Sequence, residues 1–315
     1  MSKKMLLIDA DTFIVQSAAK EQILLCEATH EKSGRKKVWP SKTAFNNWLK
    51  ENPKWENDTF TFNVIQEPVG TVANACHSMK QKITWLLDHT DCDDFRICIQ
   101  GSGNYRKLRN AKFVNYKGQR GSKPLFCEDV FEYTKRKWKD KVVVSEGIET
   151  DDYICIQGWK YYQNGDQDSL LIAYCDKDLP QNIVGNMANY LQPEYNPFFN
   201  TPEMQYKGFW TSVLVGDQAD NIPGIGSISE ETRVKYGIRK NKDNACGPVS
   251  AGRILAGVES EKECAERVME AYALRYPDDW KFRIDEMCFF LWLQRYDGDM
   301  FKFKSHVIDR LKIDC

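Results

Sequence analysis

Between Glu146 and Asp178 the chain reads E-G-I-E-T-D-D, then an apolar helical run, then S-L-L-I-A-Y-C-D-K-D. Glu149, Asp151 and Asp152 fall within one helical turn, so at least two of their carboxylates can share a direction. Ser169–Tyr174 reads as a buried strand with Asp176 and Asp178 just past its C-terminal end, the end at which open α/β sheets bind ligands. Carboxylates converging there repel one another unless cations neutralise them. Hard oxygen donors in such number suit Mg²⁺ or Mn²⁺. Either cluster alone also fits a solvated helix start, because acids favour first turns. Together they point to divalent metal chemistry.

Two further stretches belong with them. Met5–Asp9 is a short apolar run of the kind that forms central parallel strands, and it ends in Asp9-Ala10-Asp11 ahead of a helical segment reaching Ala19. Asp9 then sits at a strand end as Asp176 does, although Asp9 and Asp11 also read as helix caps. Gly101–Lys123 is basic, punctuated by glycine and laced with aromatics. It is expected to be a mobile loop or helical flap over the strand ends. Arg106, Lys107, Arg109, Lys112, Lys117, Arg120 and Lys123 are its candidate phosphate contacts, with Tyr105 and Tyr116 to stack on bases. Most charge runs are solvated faces; the position directly after the strand Phe95–Gln100 favours the functional reading.

The elements that must position these residues alternate as strand and helix, the pattern of an α/β fold. Helices are expected over Pro68–His89, up to Lys139 and over Pro202–Val215. Strands are expected over Lys141–Val144 and near Asn189–Gln192. Residues 27–62 are polar and basic with Trp39, Trp48 and Trp55, and read as an extended hairpin plus a short helix inserted after the first strand–helix unit. The tail from about Glu261 is helical and apolar-periodic. Charge is balanced, with 44 Lys+Arg against 45 Asp+Glu; an acidic metal site and a basic substrate track cancel in such a sum. The 11 cysteines show no C-x-x-C pairing, so they read as small core residues of a reducing compartment. With no apolar span and no leader sequence, a cytoplasmic protein is expected.

The string Gly216-Asp217-Gln-Ala-Asp220-Asn221-Ile-Pro223-Gly224-Ile-Gly226 resembles the G-D-x-x-D-N-I-P-G signature of the flap endonuclease and 5′→3′ exonuclease family. I-D at the start, Y-K-x-x-R at Tyr116–Arg120, G-x-E-x-D-D at Gly147–Asp152 and D-K-D at Asp176–Asp178 agree in order, so the likeness spans about residues 5–257. It implies a PIN-like nuclease core with a central, mostly parallel sheet and helices on both faces, a helical arch and a C-terminal helical duplex-binding subdomain. On that pattern the core runs over 1–215, with an insertion at about 27–62 and the basic arch at about 101–124, and the helical subdomain over 216–315.

Carried over residue by residue, the likeness implies a site for two cations, Mg²⁺ or substituting Mn²⁺, lined by Asp9, Glu149, Asp151, Asp152, Asp176, Asp178, Asp217 and Asp220, with Asp11 as a further candidate. Asp9, Asp152 and Asp176 would be central to hydrolysis, and Lys117 and Arg120 would touch the scissile phosphate. Gly224, Gly226, Gly247 and Ser250 would belong to a duplex grip, with K⁺ held by main-chain carbonyls. The substrate implied is DNA with a free 5′ end or 5′ flap, or an RNA–DNA hybrid, cut by a monomer in the manner of phage replication enzymes. This chain departs from the pattern in three places. No carboxylate occurs at Ile99–Ser102, where relatives place one. Gln16 stands where many relatives have Arg or Lys. Ser227–Cys246 separates I-P-G-I-G from Gly247-Pro-Val-Ser-Ala-Gly-Arg-Ile-Leu255 and reads as an insertion. The missing acid is the best support for the rival reading, a DNA-binding protein with weakened catalysis.

Overall fold

The computed structural model describes residues 3–119, 121–192, 196–240 and 243–314. In chain order come β1 (Met5–Asp9), α1 (Asp11–Ala19), β2 (Gln22–His30), β3 (Lys36–Trp39), α2 (Lys42–Glu51), β4 (Phe60–Pro68), α3 (Val72–Asp88) and β5 (Asp94–Gln100). After a 3₁₀ turn at Tyr105–Leu108 follow α4 (Cys127–Lys137), β6 (Val142–Ser145), α5 (Thr150–Gln163), β7 (Leu170–Tyr174), α6 (Asp178–Asn182), β8 (Gly185–Asn189) and β9 (Phe198–Asn200). Then come α7 (Pro202–Val215), α8 (Glu230–Lys235), α9 (Pro248–Ile254), α10 (Glu261–Arg275) and α11 (Trp280–Leu291). The strand expected near Asn189–Gln192 ends where that stretch begins.

The chain forms two compact units, Met1–Ala10 with His89–Gly121 and Val143–Cys315, and Asp11–Asp88 with Ser122–Val142. The division therefore does not fall at residue 215. The physical reason is an apolar core in the first unit, in which Phe209, Trp210, Val213 and Leu214 of α7 pack with Ala251 and Ile254 of α9, Val268 and Tyr272 of α10 and Met287–Trp292. Residues 216–315 share that core instead of closing one of their own.

The first unit carries a six-stranded sheet in the order β6-β5-β1-β7-β8-β9. β1 runs parallel to both β5 and β7, β7 runs parallel to β8, and β9 is antiparallel to β8. β7 is buried throughout and β1 nearly so, as strands covered on both faces must be, and this is why they read as unbroken apolar runs. α5 packs over β1, β5 and β7. Gly158 lets it lie close to Ile183 and to β7: a Cβ there would stand 2.7 Å from Ile183 Cγ2 and 3.3 Å from Ile172 Cδ1.

In the second unit, β3-β2-β4 make an antiparallel sheet spanning Gln22–Pro68, wider than the expected 27–62 hairpin. Trp39, Phe45, Trp48, Phe60 and Phe62 pack ring on ring, so the aromatics form a small core and not a stacking platform. α1 packs on α3 and α4, and Gln16 Oε1 accepts a hydrogen bond from Lys82 Nζ at 2.8 Å. A cation thus reaches the place of the missing basic residue from another helix.

Among its described residues, the segment after β5 forms no long helix. Apart from the Tyr105–Leu108 turn it is irregular, and it is tied down in several places. The main-chain N–H groups of Lys112 and Phe113 donate to the two carboxylate oxygens of Glu286, each at 2.7 Å. Arg109 pairs with Asp285 at 2.6 Å and lies over Phe289. Arg106, expected to touch phosphates, is 1% exposed. Its guanidinium donates to both oxygens of Asp152, at 2.6 and 2.7 Å, to Glu149 at 3.0 Å and to the Trp292 carbonyl. A buried bidentate pair of this kind is geometrically exacting, and losing one partner leaves the other charged and desolvated. Arg106→Met is therefore expected to cost about 3–5 kcal/mol, measured as a shift of the urea midpoint. A loss below about 1 kcal/mol, the size of an exposed pair, would show that this knot does not hold the fold.

Candidate metal centre and substrate-binding residues

Asp9 ends β1, Glu149 caps α5 with Asp151 in its first turn, Asp176 and Asp178 follow β7, and Asp217 and Asp220 lie in the loop after α7. That loop is a tight closed turn. Asp217 and Ile222 exchange main-chain hydrogen bonds at 2.8 and 2.7 Å, and Ala219 N–H donates to Asp217 Oδ1 at 2.8 Å. A Cβ on Gly224, at φ +61°, would stand 2.5 Å from Gly216 N and 2.6 Å from Leu214 O. Only glycine permits this closure, which turns Asp217 and Asp220 toward the strand ends.

The charges act on one another. The Asp151 carboxyl is pushed well above its ordinary range by burial, and further by Asp9, Asp176, Glu149 and Asp178. Burial also raises Asp176; the Asp178 N–H hydrogen bond opposes this, while Asp217 and Asp220 add to it. Asp178 is pushed up to about 8 by burial, then by Asp176 and Asp217. Glu149 goes the other way. Burial alone would raise it, but Arg106, Lys117 and the Tyr116 hydroxyl together hold it below the usual range.

The positive charges are few and specific. Lys117 pairs with Glu149 and, at 3.5 Å, with Asp220. It holds a left-handed backbone, φ +55°, unusual for a non-glycine residue. Lys177 Nζ reaches Asp217 at 3.3 Å. Among the described residues no three or more His, Cys, Asp or Glu side chains stand in the geometry of a metal ligand set; the carboxylates turn to these cations instead. The donor set nevertheless fits a divalent cation. Asp178 Oδ1 is buried and has no hydrogen-bond partner among the described residues, and its neighbours are hard oxygens of one sign.

Several expected site residues lie elsewhere. Asp152 is fully buried, with its oxygens taken by Arg106, by Gln294 N–H at 3.0 Å and by Glu149 N–H at 3.1 Å. It is the counter-ion of Arg106. Asp11 opens α1 in the other unit. Tyr116 is not free to take a base: its ring stacks on Phe290 at 4.9 Å and its hydroxyl donates to Glu149 at 2.7 Å. Tyr105 packs edge-on against Phe289. Lys107 and Lys112 are exposed. Lys123 belongs to the second unit, where its carbonyl accepts from Gln66 at 3.0 Å. Arg120 lies outside the described residues.

The insertion after Gly226 closes on itself. Ser227 and Ala245 bridge, and Cys246 N–H donates to the Gly226 carbonyl at 2.8 Å. Gly226 and Gly247 thereby come together, with Gly247 capping α9 and Ser250 buried one turn in. At the strand end lacking an acid, Gln100 Oε1 accepts from Thr150 N–H at 2.9 Å and its Nε2 donates to the Ile148 carbonyl at 3.1 Å. A carboxylate does reach this strand end from Glu146, which accepts from Ser102 N–H at 2.8 Å and from its hydroxyl at 2.5 Å. Sequence gave no sign of this partnership, or of Lys177 as a counter-charge beyond its place within D-K-D.

No protein-family model matches the chain. Among curated proteins, the 5′-3′ exonuclease of Buchnera aphidicola subsp. Schizaphis graminum is 28% identical over 184 residues, covering 55% of this chain and 62% of that protein. The 5′-3′ exonuclease of Buchnera aphidicola subsp. Acyrthosiphon pisum is 30% identical over 148 residues, 44% of this chain and 50% of that protein. The chain thus spans between half and two thirds of the length of these relatives. A DNA polymerase I from Caldicellulosiruptor bescii is 25% identical over 179 residues, 51% of this chain and 20% of that protein. The solved structure of T5 D15 protein with metal ions aligns over 90% of this chain and 98% of that one at 13% identity, with a TM-score of 0.43. In its acidic motifs and over the matched stretches of these exonucleases, the chain is similar to the flap endonuclease and 5′→3′ exonuclease family.

Proposed function

We propose that this protein is a divalent-metal-dependent 5′ nuclease that cleaves phosphodiesters of DNA bearing a free 5′ end or a 5′ flap, with RNA–DNA hybrids as a further substrate. The observation that carries the reading is the convergence of Asp151, Asp176 and Asp178, whose carboxyls are all raised by burial and mutual repulsion. Such an arrangement is unfavourable by itself and is relieved by bound cations. Asp9, Asp151, Asp176, Asp178, Asp217 and Asp220 would hold two Mg²⁺ or Mn²⁺, with Glu149 at the margin. When bound, such ions neutralise charge on a phosphate and lower the pKa of water.

The chain's own residues supply the rest. Lys117, already beside Glu149 and Asp220, would exchange those partners for the scissile phosphate and offset its developing charge. Arg120 would act with it. The Gly226–Gly247 junction would grip duplex phosphates, with K⁺ at its carbonyls. Contacts to phosphates and not to base edges would make selection structural and binding steeply salt-dependent. Work of this kind belongs in the cytoplasm, of a phage's host if the protein is phage-encoded, and needs no second copy of the chain.

The direct test is cleavage of labelled 5′-flap, nicked-duplex and RNA–DNA substrates with Mg²⁺ or Mn²⁺, beside Asp176→Asn. Release from the 5′ end, reduced on the order of 10²-fold or more in the variant, is expected. Tight DNA binding without cleavage in either metal would replace this reading with that of a DNA-binding protein.

Stability offers a second test. A carboxyl raised to about 8, as in Asp178, binds its proton more tightly in the folded than in the unfolded chain. The stability of the metal-free protein should therefore fall as pH rises from the ordinary carboxylate range toward 8. Glu149, held low, acts in the opposite sense, and only below that window. Adding Mg²⁺ or Mn²⁺ should raise Tm more at pH 8 than at pH 5, and Asp178→Asn should flatten both dependences. A Tm indifferent to metal at both pH values would contradict the cation site.

A further inference from the structure

The helices α10 and α11 lie beyond the stretch that resembles the family, yet they build a cleft against its signature turn. Phe113, Gly224, Gly226, Tyr276 and Arg283 line a cleft of about 260 Å³. The Arg283 guanidinium is sandwiched between two rings, its carbon 4.0 Å from the centroids of both Phe113 and Tyr276. Its Nε donates to Asp279 at 2.8 Å, whereas Nη1 and Nη2 have no acceptor among the described residues. Stacking fixes the plane of the guanidinium and leaves its edge to bond, the disposition that suits an oxyanion.

The opposite wall is main chain. Gly224 and Gly226 have φ +61° and +70°, and the nearest atom to a Cβ on Gly226 would be the Tyr276 hydroxyl at 3.7 Å. Gly226 is therefore open toward the cleft. The N–H groups of Gly224 and Gly226 have no acceptor among the described residues, and free amides in such turns suit anions. Tyr276 and Arg275 brace this wall. The Tyr276 hydroxyl donates to the Ile225 carbonyl at 2.9 Å, and Arg275 Nε donates to the Ser227 carbonyl at 3.1 Å and to its hydroxyl at 3.0 Å. Arg275 also lies over the Tyr276 ring and Lys112 over Phe113. Asp279 and Glu286, the latter holding the Lys112 and Phe113 N–H groups, stand against the three cations Arg275, Arg283 and Lys112.

We infer that this cleft is a nucleic-acid phosphate subsite in which Arg283 binds a backbone phosphate of the duplex arm of the substrate, while Arg275 is a positioning residue for the glycine turn. The inference deepens the proposed function and rests on it for the identity of the ligand. Its test does not depend on cleavage. Binding of a short blunt duplex and of a single strand to the full chain is measured in EDTA across a series of salt concentrations. Arg283→Gln is expected to weaken duplex binding several-fold and to reduce the slope of log K against log salt by about 1, with single-strand binding unchanged. Arg283→Lys should retain most of the slope, because it keeps the charge, but not all of the affinity. Duplex affinity and slope unaltered in Arg283→Gln would overturn the subsite, as would an equal loss in the Gln and Lys variants accompanied by a fall in Tm. A chain that binds duplex through Arg283 and never cleaves would remove the nuclease reading alone. A chain that cleaves while its duplex binding ignores Arg283 would remove this one alone.

Discussion

Asp151 stands among Asp9, Asp176, Asp178 and Glu149, where burial and like charge both oppose ionisation. A protein can hold such a group only by distributing positive charge around it with care. Too little leaves the strand ends repelling one another; too much closes the site to cations and phosphates. The larger unit meets this with lysines at the margin, where Lys117 and Lys177 pair with Glu149, Asp220 and Asp217. Arg106, fully buried, is committed to Asp152 and to Glu149 at the edge of the cluster. Asp178 Oδ1, buried, has no hydrogen-bond partner among the described residues.

The same constraint explains why the C-terminal helices cannot stand apart. Arg106 also bonds the Trp292 carbonyl, and Asp152 accepts from Gln294 N–H, so the start of α5 is braced by the chain just after α11. Glu286, 6% exposed, is satisfied by two main-chain N–H groups of the basic segment, an arrangement that stabilises a buried carboxylate without a neighbouring cation. The tail is thus part of the scaffold that sets where Lys117 sits.

Much of this was legible in the sequence. The runs Met5–Asp9 and Leu170–Tyr174 are apolar because both sheet faces are covered, and that fixed the strand ends on which Asp9 and Asp176 sit. Gly216 and Gly224 were legible only as parts of a signature, and the structure shows that they close a turn no other residue tolerates. What failed was direction. Adjacent residues on a helix point about 100° apart, so Asp151 and Asp152 could not both face the cluster, and nothing local says which one does. The deciding partner, Arg106, is more than 40 residues away in sequence, and ion pairs at such separation leave no periodic trace. The basic segment misled for a related reason. Its charges suggested a free phosphate track, whereas Arg106 and Arg109 are spent on acids contributed by α5 and α11.

The two insertions differ in how they are held, and the difference is physical. Residues 22–68 fold as a sheet with its own aromatic core, in which the tryptophans face one another. Residues 227–246 are pinched at the base by the Ser227–Ala245 bridge and the bond from Cys246 to Gly226. Once a loop's ends are held together, its length matters little, since closure entropy grows only slowly with the number of residues. The separation of I-P-G-I-G from Gly247 along the chain is therefore no measure of their separation in space. Arg275, bonded to Ser227 at that pinch, makes the tail a third party to the junction. A stretch that reads in sequence as an interruption of the glycine turn is thereby held, by a residue from outside the recognisable motif, in the conformation the turn requires.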